Sequence, residues 1–292
     1  MSSPARFKFY HYNPSFAAAV TFVVFFTIAS IRYGQLLIKN RTWYFVPFLI
    51  GCTFEAIGYV ARAISAKQTP NWNLKPYIMH SLLTLLGPTF YAASIYMVLG
   101  RLIRLLDAGS YCLIRPKWLT RFFLMGDILS FLGQSGGGGI LATAKSESSQ
   151  KLGNNVILLG LGIQVVFFAF FMVITIAFHF RITKFPTTKS LSIATSWSTF
   201  IWVLNLASLL IMVRSVFRMI EYAQGNDGAL LQRELYLYLL DATLMLVVAV
   251  VLSVYHPSRV LQECKILDKD SEATDTRDNY PMISGIGRAG RF

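Results

Sequence analysis

The chain is short of charge. Only 14% of its 292 residues are Asp, Glu, Lys or Arg, against about 25% in a typical soluble domain. Acidic residues are the scarcest, 14 against 27 basic ones. The three cysteines, Cys52, Cys112 and Cys264, stand far apart, so neither a disulfide framework nor a zinc knuckle is indicated. The four histidines, His11, His80, His179 and His256, include no His-x-x-x-His pair. That argues against a zinc hydrolase of the membrane, and no metal is expected. Alternating apolar and polar stretches of about ten residues are also missing, which argues against a membrane β-barrel. No lysine falls within 234–255, so a retinal Schiff base there is excluded. The run Gly133-Gln134-Ser135-Gly136-Gly137-Gly138-Gly139 lacks the Gly-Lys-Ser/Thr ending of a phosphate loop. It reads better as close helix packing or a helix break, and no cofactor is implied.

What is abundant is apolar. Hydrophobic residues make up 54% of the chain, and the mean hydropathy is +0.52. Seven apolar segments stand out, at about 14–37, 43–64, 77–99, 121–142, 155–180, 195–217 and 234–255. Each is long enough to cross a hydrocarbon core about 30 Å thick. The runs are continuous, and only helices and closed barrels satisfy their backbone groups in lipid. The predicted fold class is therefore all-α, an integral membrane bundle of seven helices. The first segment runs into Arg32, Lys39 and Arg41 without a cleavage pattern, so it reads as a span and not a signal peptide.

Orientation follows from the basic residues between spans. The connections after spans one, three and five carry three (Arg32, Lys39, Arg41), five (Arg101, Arg104, Arg115, Lys117, Arg121) and three (Arg181, Lys184, Lys189). Six more lie beyond the last span, giving 17 on this side against nine on the other, with Arg62 inside a span. The richer side belongs in the cytoplasm. This places residues 1–13 outside, the seven-helix domain at 14–257, and a cytoplasmic tail at 258–292. Within that tail, 263–280 is rich in Asp, Glu, Lys and Thr, without an apolar face, and is expected to be disordered. The net charge of +13 is mostly this topology signal, so no nucleic-acid partner is expected.

Ionisable residues inside spans are costly and mark either a function or a pairing. Glu55 and Arg62 lie seven residues apart on span two, and Asp127 and Gln134 repeat that spacing on span four. Gln164 lies mid-span on the fifth; Arg214, Arg218 and Glu221 share a face of the sixth; Glu234 and Asp241 are again seven apart on the last. At 1.5 Å per residue, Glu55 lies about 18 Å from the inner end of its span and Asp241 about 10 Å from the outer end of its own. Glu55, Arg62, Gln134, Gln164, Arg214, Arg218 and Asp241 are expected to gather between mid-membrane and the outer leaflet. For any one of them a structural ion pair explains the charge as well as a function does. For the set, the number of charges favours a polar cavity.

The same pattern resembles the fungal lipid-translocating exporter family, the Rta-like seven-spanning membrane proteins. The residues that carry the likeness are Tyr12-Asn13-Pro14-Ser15, Glu55-x-x-Gly58-Tyr59-x-x-Arg62, and Gly87-Pro88 with Ala92-Ala93, Tyr96 and Gly100-Arg101. Asp127 with Gln134, Gly160-Leu161 with Gln164, Arg214-Ser215-x-x-Arg218-x-x-Glu221, Gly225, Gly228, Glu234, Tyr238, Asp241 and His256-Pro257 complete it. Two positions depart: Gly87 where the family more often has Ala, and Ser258 where it has Gly. The resemblance implies a non-enzymatic plasma-membrane protein. Its partners would be membrane lipids and an amphipathic small molecule: a sphingoid base, a sterol-like amine or a porphyrin. A carboxylate cavity at Glu55 and Asp241 would receive an ammonium head, and Arg62, Arg214 and Arg218 would balance charge or meet an anionic one. A seven-helix receptor, or a regulator of another transporter, is the alternative plan.

Overall fold

The computed structural model describes residues 14–69, 73–112, 114–144, 146–192, 197–224 and 234–258. The expected external N-terminus at 1–13 and the expected tail beyond Ser258 lie outside the described residues. Every regular element among the described residues is helical. In order these are α1 (Phe16–Asn40), α2 (Val46–Lys67), α3 (Leu74–Leu105), α4 (Pro116–Thr143), α5 (Glu147–Lys184), the short α6 (Thr188–Ser192) and α7 (Trp197–Gln224). The last span is α8 (Glu234–Leu237), a π turn (Tyr238–Ala242) and α9 (Thr243–Val254), which follow without a break.

The helix ends follow from local chemistry. Ser15 caps α1 by accepting from the Ala18 amide, and Ser146 caps α5 by accepting from the Ser149 amide. Pro47 and Pro116 open α2 and α4, where a missing N–H costs nothing. Arg41 ends α1 in the left-handed region at φ 50°. Glu147 in the first turn of α5 and Arg181 and Lys184 in its last turn match the helix dipole.

Among the described residues six helical stretches are long and apolar enough to cross a membrane: Phe16–Asn40, Trp43–Lys67, Lys75–Leu105, Glu147–Lys184, Trp197–Gln224 and Glu234–Val254. The protein is therefore a multi-pass membrane protein. The segment expected at 121–142 is helical, as α4, but its glycines and basic N-terminal turn lower its hydropathy. Several helices outrun their apolar cores. The 38-residue α5 exceeds the expected 155–180 by a turn or two at each end, because its polar ends keep helical hydrogen bonds beyond the hydrocarbon.

Neighbours in sequence are neighbours in space. The closest pairings are α4 with α5, α2 with α3, and α1 with α2; α7 lies against α5, and the last span against α7 and α1. The core is strongly aromatic. Phe26 stacks on Tyr59, Phe22 on Tyr238, and Phe48 on Tyr91. The Tyr33 hydroxyl donates to the Ala249 carbonyl at 2.6 Å, tying α1 to the last span. Large apolar side chains such as Val24, Ile28, Leu159, Val166 and Trp202 point outward, as a lipid-facing surface requires.

Candidate functional site

Three guanidinium groups and four carboxylates converge where α2, α3, α7 and the last span meet. Glu55, Arg62, Arg214, Arg218, Glu221 and Asp241 are all buried, at 1%, 1%, 1%, 4%, 6% and 2% exposure. Each arginine has an acidic partner. Arg62 Nη2 lies 2.8 Å from Glu234 Oε1, Arg214 Nε 2.5 Å from Asp241 Oδ1, and Arg218 Nη1 2.7 Å from Glu221 Oε2. The Arg214–Asp241 pair is a close ion pair whose atoms are not aligned as a hydrogen bond. Glu55 is the fourth carboxylate. It feels the charges of Arg214, Arg218 and Asp241, yet its Oε1 has no hydrogen-bond partner among the described residues.

Local sequence explains how these groups reach one another. Pro88 lies inside α3 and has no N–H to offer the Thr84 carbonyl one turn earlier. Arg214 Nη2 donates to that freed carbonyl. The residue before the proline is Gly87, and the Glu55 carboxylate occupies the space a side chain would fill there. A Cβ at Gly87 would lie 2.6 Å from Glu55 Oε1. Gly87 is the position where an alanine was the commoner expectation, and an alanine would push the carboxylate aside. In the last span, Tyr238–Ala242 forms a π turn that contains Asp241. Such single-turn distortions inside helices are frequent at functional sites.

The network reaches one end of the bundle. Glu234 opens the last span and is partly exposed, at 17% of its side chain. Its two carboxylate oxygens accept from the Ser15 amide at 3.0 and 2.9 Å, and Oε1 also accepts from Arg62. Arg62 Nε donates to the Tyr238 hydroxyl at 3.0 Å. His80 completes this layer. Its Nδ1 lies 3.0 Å from the Gly58 carbonyl and its Nε2 3.4 Å from Arg62 Nη1. A carbonyl only accepts and a guanidinium only donates, so the matching tautomer is neutral imidazole protonated on Nδ1. From Glu234 to Asp241 is seven residues, so the charges run about 10 Å into the bundle.

The other three expected residues lie elsewhere. Gln134 Nε2 donates to Gln164 Oε1 at 3.1 Å and to Ser130 Oγ at 2.6 Å, and Ser130 Oγ donates to the Gly160 carbonyl at 2.7 Å. These bonds stay within the α4–α5 seam. The glycine run is unbroken helix, and Gly137 within it allows close approach: a Cβ there would meet the Gly153 carbonyl oxygen at 2.7 Å, and across the seam one on Gly160 would meet the Ser130 carbonyl oxygen at 2.8 Å. Asp127 faces Tyr96 from α4 to α3, beside Phe123, Phe168 and Phe171. Among the described residues no group of His, Cys, Asp and Glu could hold a metal ion.

Sequence reasoning left His80, Thr84, Gly87 and Tyr238 out of the site. Only Gly87-Pro88 carried a usable signal, since a proline in a span always frees a carbonyl one turn back. Nothing local marks His80, whose role depends on the neighbouring helix.

Residues 48–264 match the RTA1-like protein family. The chain belongs to that family. Among its RTA1-like relatives, protoporphyrin uptake protein 1 of Saccharomyces cerevisiae is 34% identical, covering 91% of this chain and 99% of the relative. The protein RTA1 of the same yeast is 32% identical, over 86% and 85%. A sphingoid long-chain base transporter, RSB1, is 26% identical, over 84% and 72%. No solved structure matches the chain.

Proposed function

We propose that this RTA1-like protein moves amphipathic lipid-like molecules across the plasma membrane, without enzymatic chemistry, and that the buried charge network receives their polar heads. The observation that carries this reading is the position of the network. It runs from a partly exposed end at Glu234 to a buried carboxylate, Glu55, that has an unbonded oxygen. Ion pairs that only held helices together would leave no charge over. The relatives named for protoporphyrin uptake and for sphingoid long-chain base transport agree with this reading.

In this reading α4 is the seventh span. Trp118, Phe122, Met125, Leu129 and Leu132 are exposed at spacings of three and four, which puts them on one helix face. That stripe suits lipid, with the glycine face turned to α5. The N-terminus is outside and the C-terminus cytoplasmic, following the basic residues. A tag before Tyr12 should be reachable on intact cells and a reporter after Phe292 should be cytoplasmic; a protected N-terminal tag contradicts the orientation.

The transport reading is tested by direct flux. Purified full-length protein in liposomes should accelerate transbilayer movement of a fluorescent sphingoid base or of protoporphyrin. Specific binding with no gain in flux would instead make the protein a sensor or a regulator.

A further inference from the structure

The charge balance of the network points to a coupling mechanism, and the inference rests on the transport reading above. Arg62, Arg214 and Arg218 are matched by Glu234, Asp241 and Glu221. His80 is bonded as a neutral ring. Among the described residues Glu55 is left as the one carboxylate of the network with no cation of its own. Among the described residues its surroundings offer no further positive charge. Gly87 of α3 packs on the carboxylate. Tyr91 of α3 and Cys52 and Tyr59 of α2 are uncharged neighbours. Arg214 and Arg218 of α7 are already paired, and Asp241 of the last span is itself negative.

A lone ionised carboxylate is strongly disfavoured at this depth. Counted over the described residues, the network is neutral only when Glu55 carries one positive unit. Two kinds of occupant supply it: a proton on the carboxylate, or the ammonium of an amphipath. We propose that Glu55 is an exchange site, held by a proton in one phase of the cycle and by a cationic head in the other, so that amphipath moving one way is exchanged for a proton moving the other. On loading, the carboxyl O–H gives its proton to water on the side from which the amphipath enters, and the ammonium takes its place. On release, water on the far side returns a proton to the same oxygen. The empty ionised state is the costly one, and this is what ties the two flows together. An anionic head would instead have to displace a carboxylate from an arginine.

The test uses full-length protein in liposomes loaded with dodecyltrimethylammonium below its micellar concentration. This probe has a fixed positive charge and no proton of its own. A trapped pH dye reports the lumen, and potassium with valinomycin clamps the membrane potential. As the probe leaves, the lumen should acidify by one proton per probe ion. On the acid side, the apparent affinity for the probe should fall about tenfold per pH unit, the slope for one competing proton. Glu55→Gln should abolish the acidification. Glu55→Asp keeps a carboxylate and should retain a slower, still coupled, acidification, which keeps the test decisive where the Gln variant fails to insert. Probe efflux without acidification in the unmodified protein overturns the exchange and leaves transport standing. No probe or lipid flux at all overturns both. Acidification that survives Glu55→Gln but is lost in Asp127→Asn moves the exchange to α4 and overturns the assignment.

Discussion

Two polar regions share this bundle and are built on opposite terms. The α4–α5 seam is neutral and closed: Ser130, Gln134 and Gln164 bond to one another and to the Gly160 carbonyl, and glycines bring backbone against backbone. The network among α2, α3, α7 and the last span is charged and left unfinished, with one carboxylate more than its arginines match. The seam shows what membrane packing needs from polar groups, which is mutual satisfaction. The network exceeds that need, and the excess is what suits it to a ligand.

The largest expected effect breaks the network at a matched pair. Arg214→Ala leaves Asp241 buried without its cation and the Thr84 carbonyl without its donor. Removing one member of a buried pair costs about 3–5 kcal/mol, so this variant should fail to accumulate in the membrane, read as yield and thermal unfolding in detergent. Normal yield would mean that Arg214 is exposed to water in the membrane. The seam should respond next, and through packing alone. Gly137→Val places a side chain against the Gly153 carbonyl and Ile157. Overpacking of this kind costs about 1–3 kcal/mol, with flux per folded molecule preserved. A folded variant without flux would show that the seam moves during transport. The smallest effect sharpens the contrast. Changing Gln134 and Gln164 together to Leu removes both partners of their mutual bond and should be nearly neutral, whereas Gln134→Leu alone strands the Gln164 amide and Gln164→Leu alone leaves Gln134 its bond to Ser130. Interhelical hydrogen bonds of this kind average about 0.6 kcal/mol, measurable as a double-mutant cycle on unfolding.

How much of this was legible in the sequence differs between the two regions. Apolar length placed the spans, because a helix in lipid needs little beyond about 20 apolar residues. Seven-residue spacings placed Glu55 with Arg62 and Glu234 with Asp241 on shared faces. The partners were not legible. That Arg62 turns to Glu234 and not to Glu55, and that Arg214 takes Asp241, depends on how each helix is rotated and how deep it sits. Three helices must dock before those values exist. Gln134 and Gln164 were expected among the charges for their depth, yet their hydrogen bonds keep to the α4–α5 seam. His80 was set aside for want of a second histidine, although its partners are a carbonyl and an arginine. The π turn at Tyr238–Ala242 has no signature in a run of ordinary helix formers.

If the odd carboxylate serves transport and not stability, Glu55→Gln separates the two. The substitution keeps shape, removes the unmatched charge, and leaves all three arginine pairs intact. The variant should reach wild-type amounts at the cell surface and unfold within about 1 kcal/mol of the parent, yet lose amphipath flux and tolerance to toxic long-chain amines. Full flux at normal surface level would contradict it, and would make the whole network a scaffold for the helices.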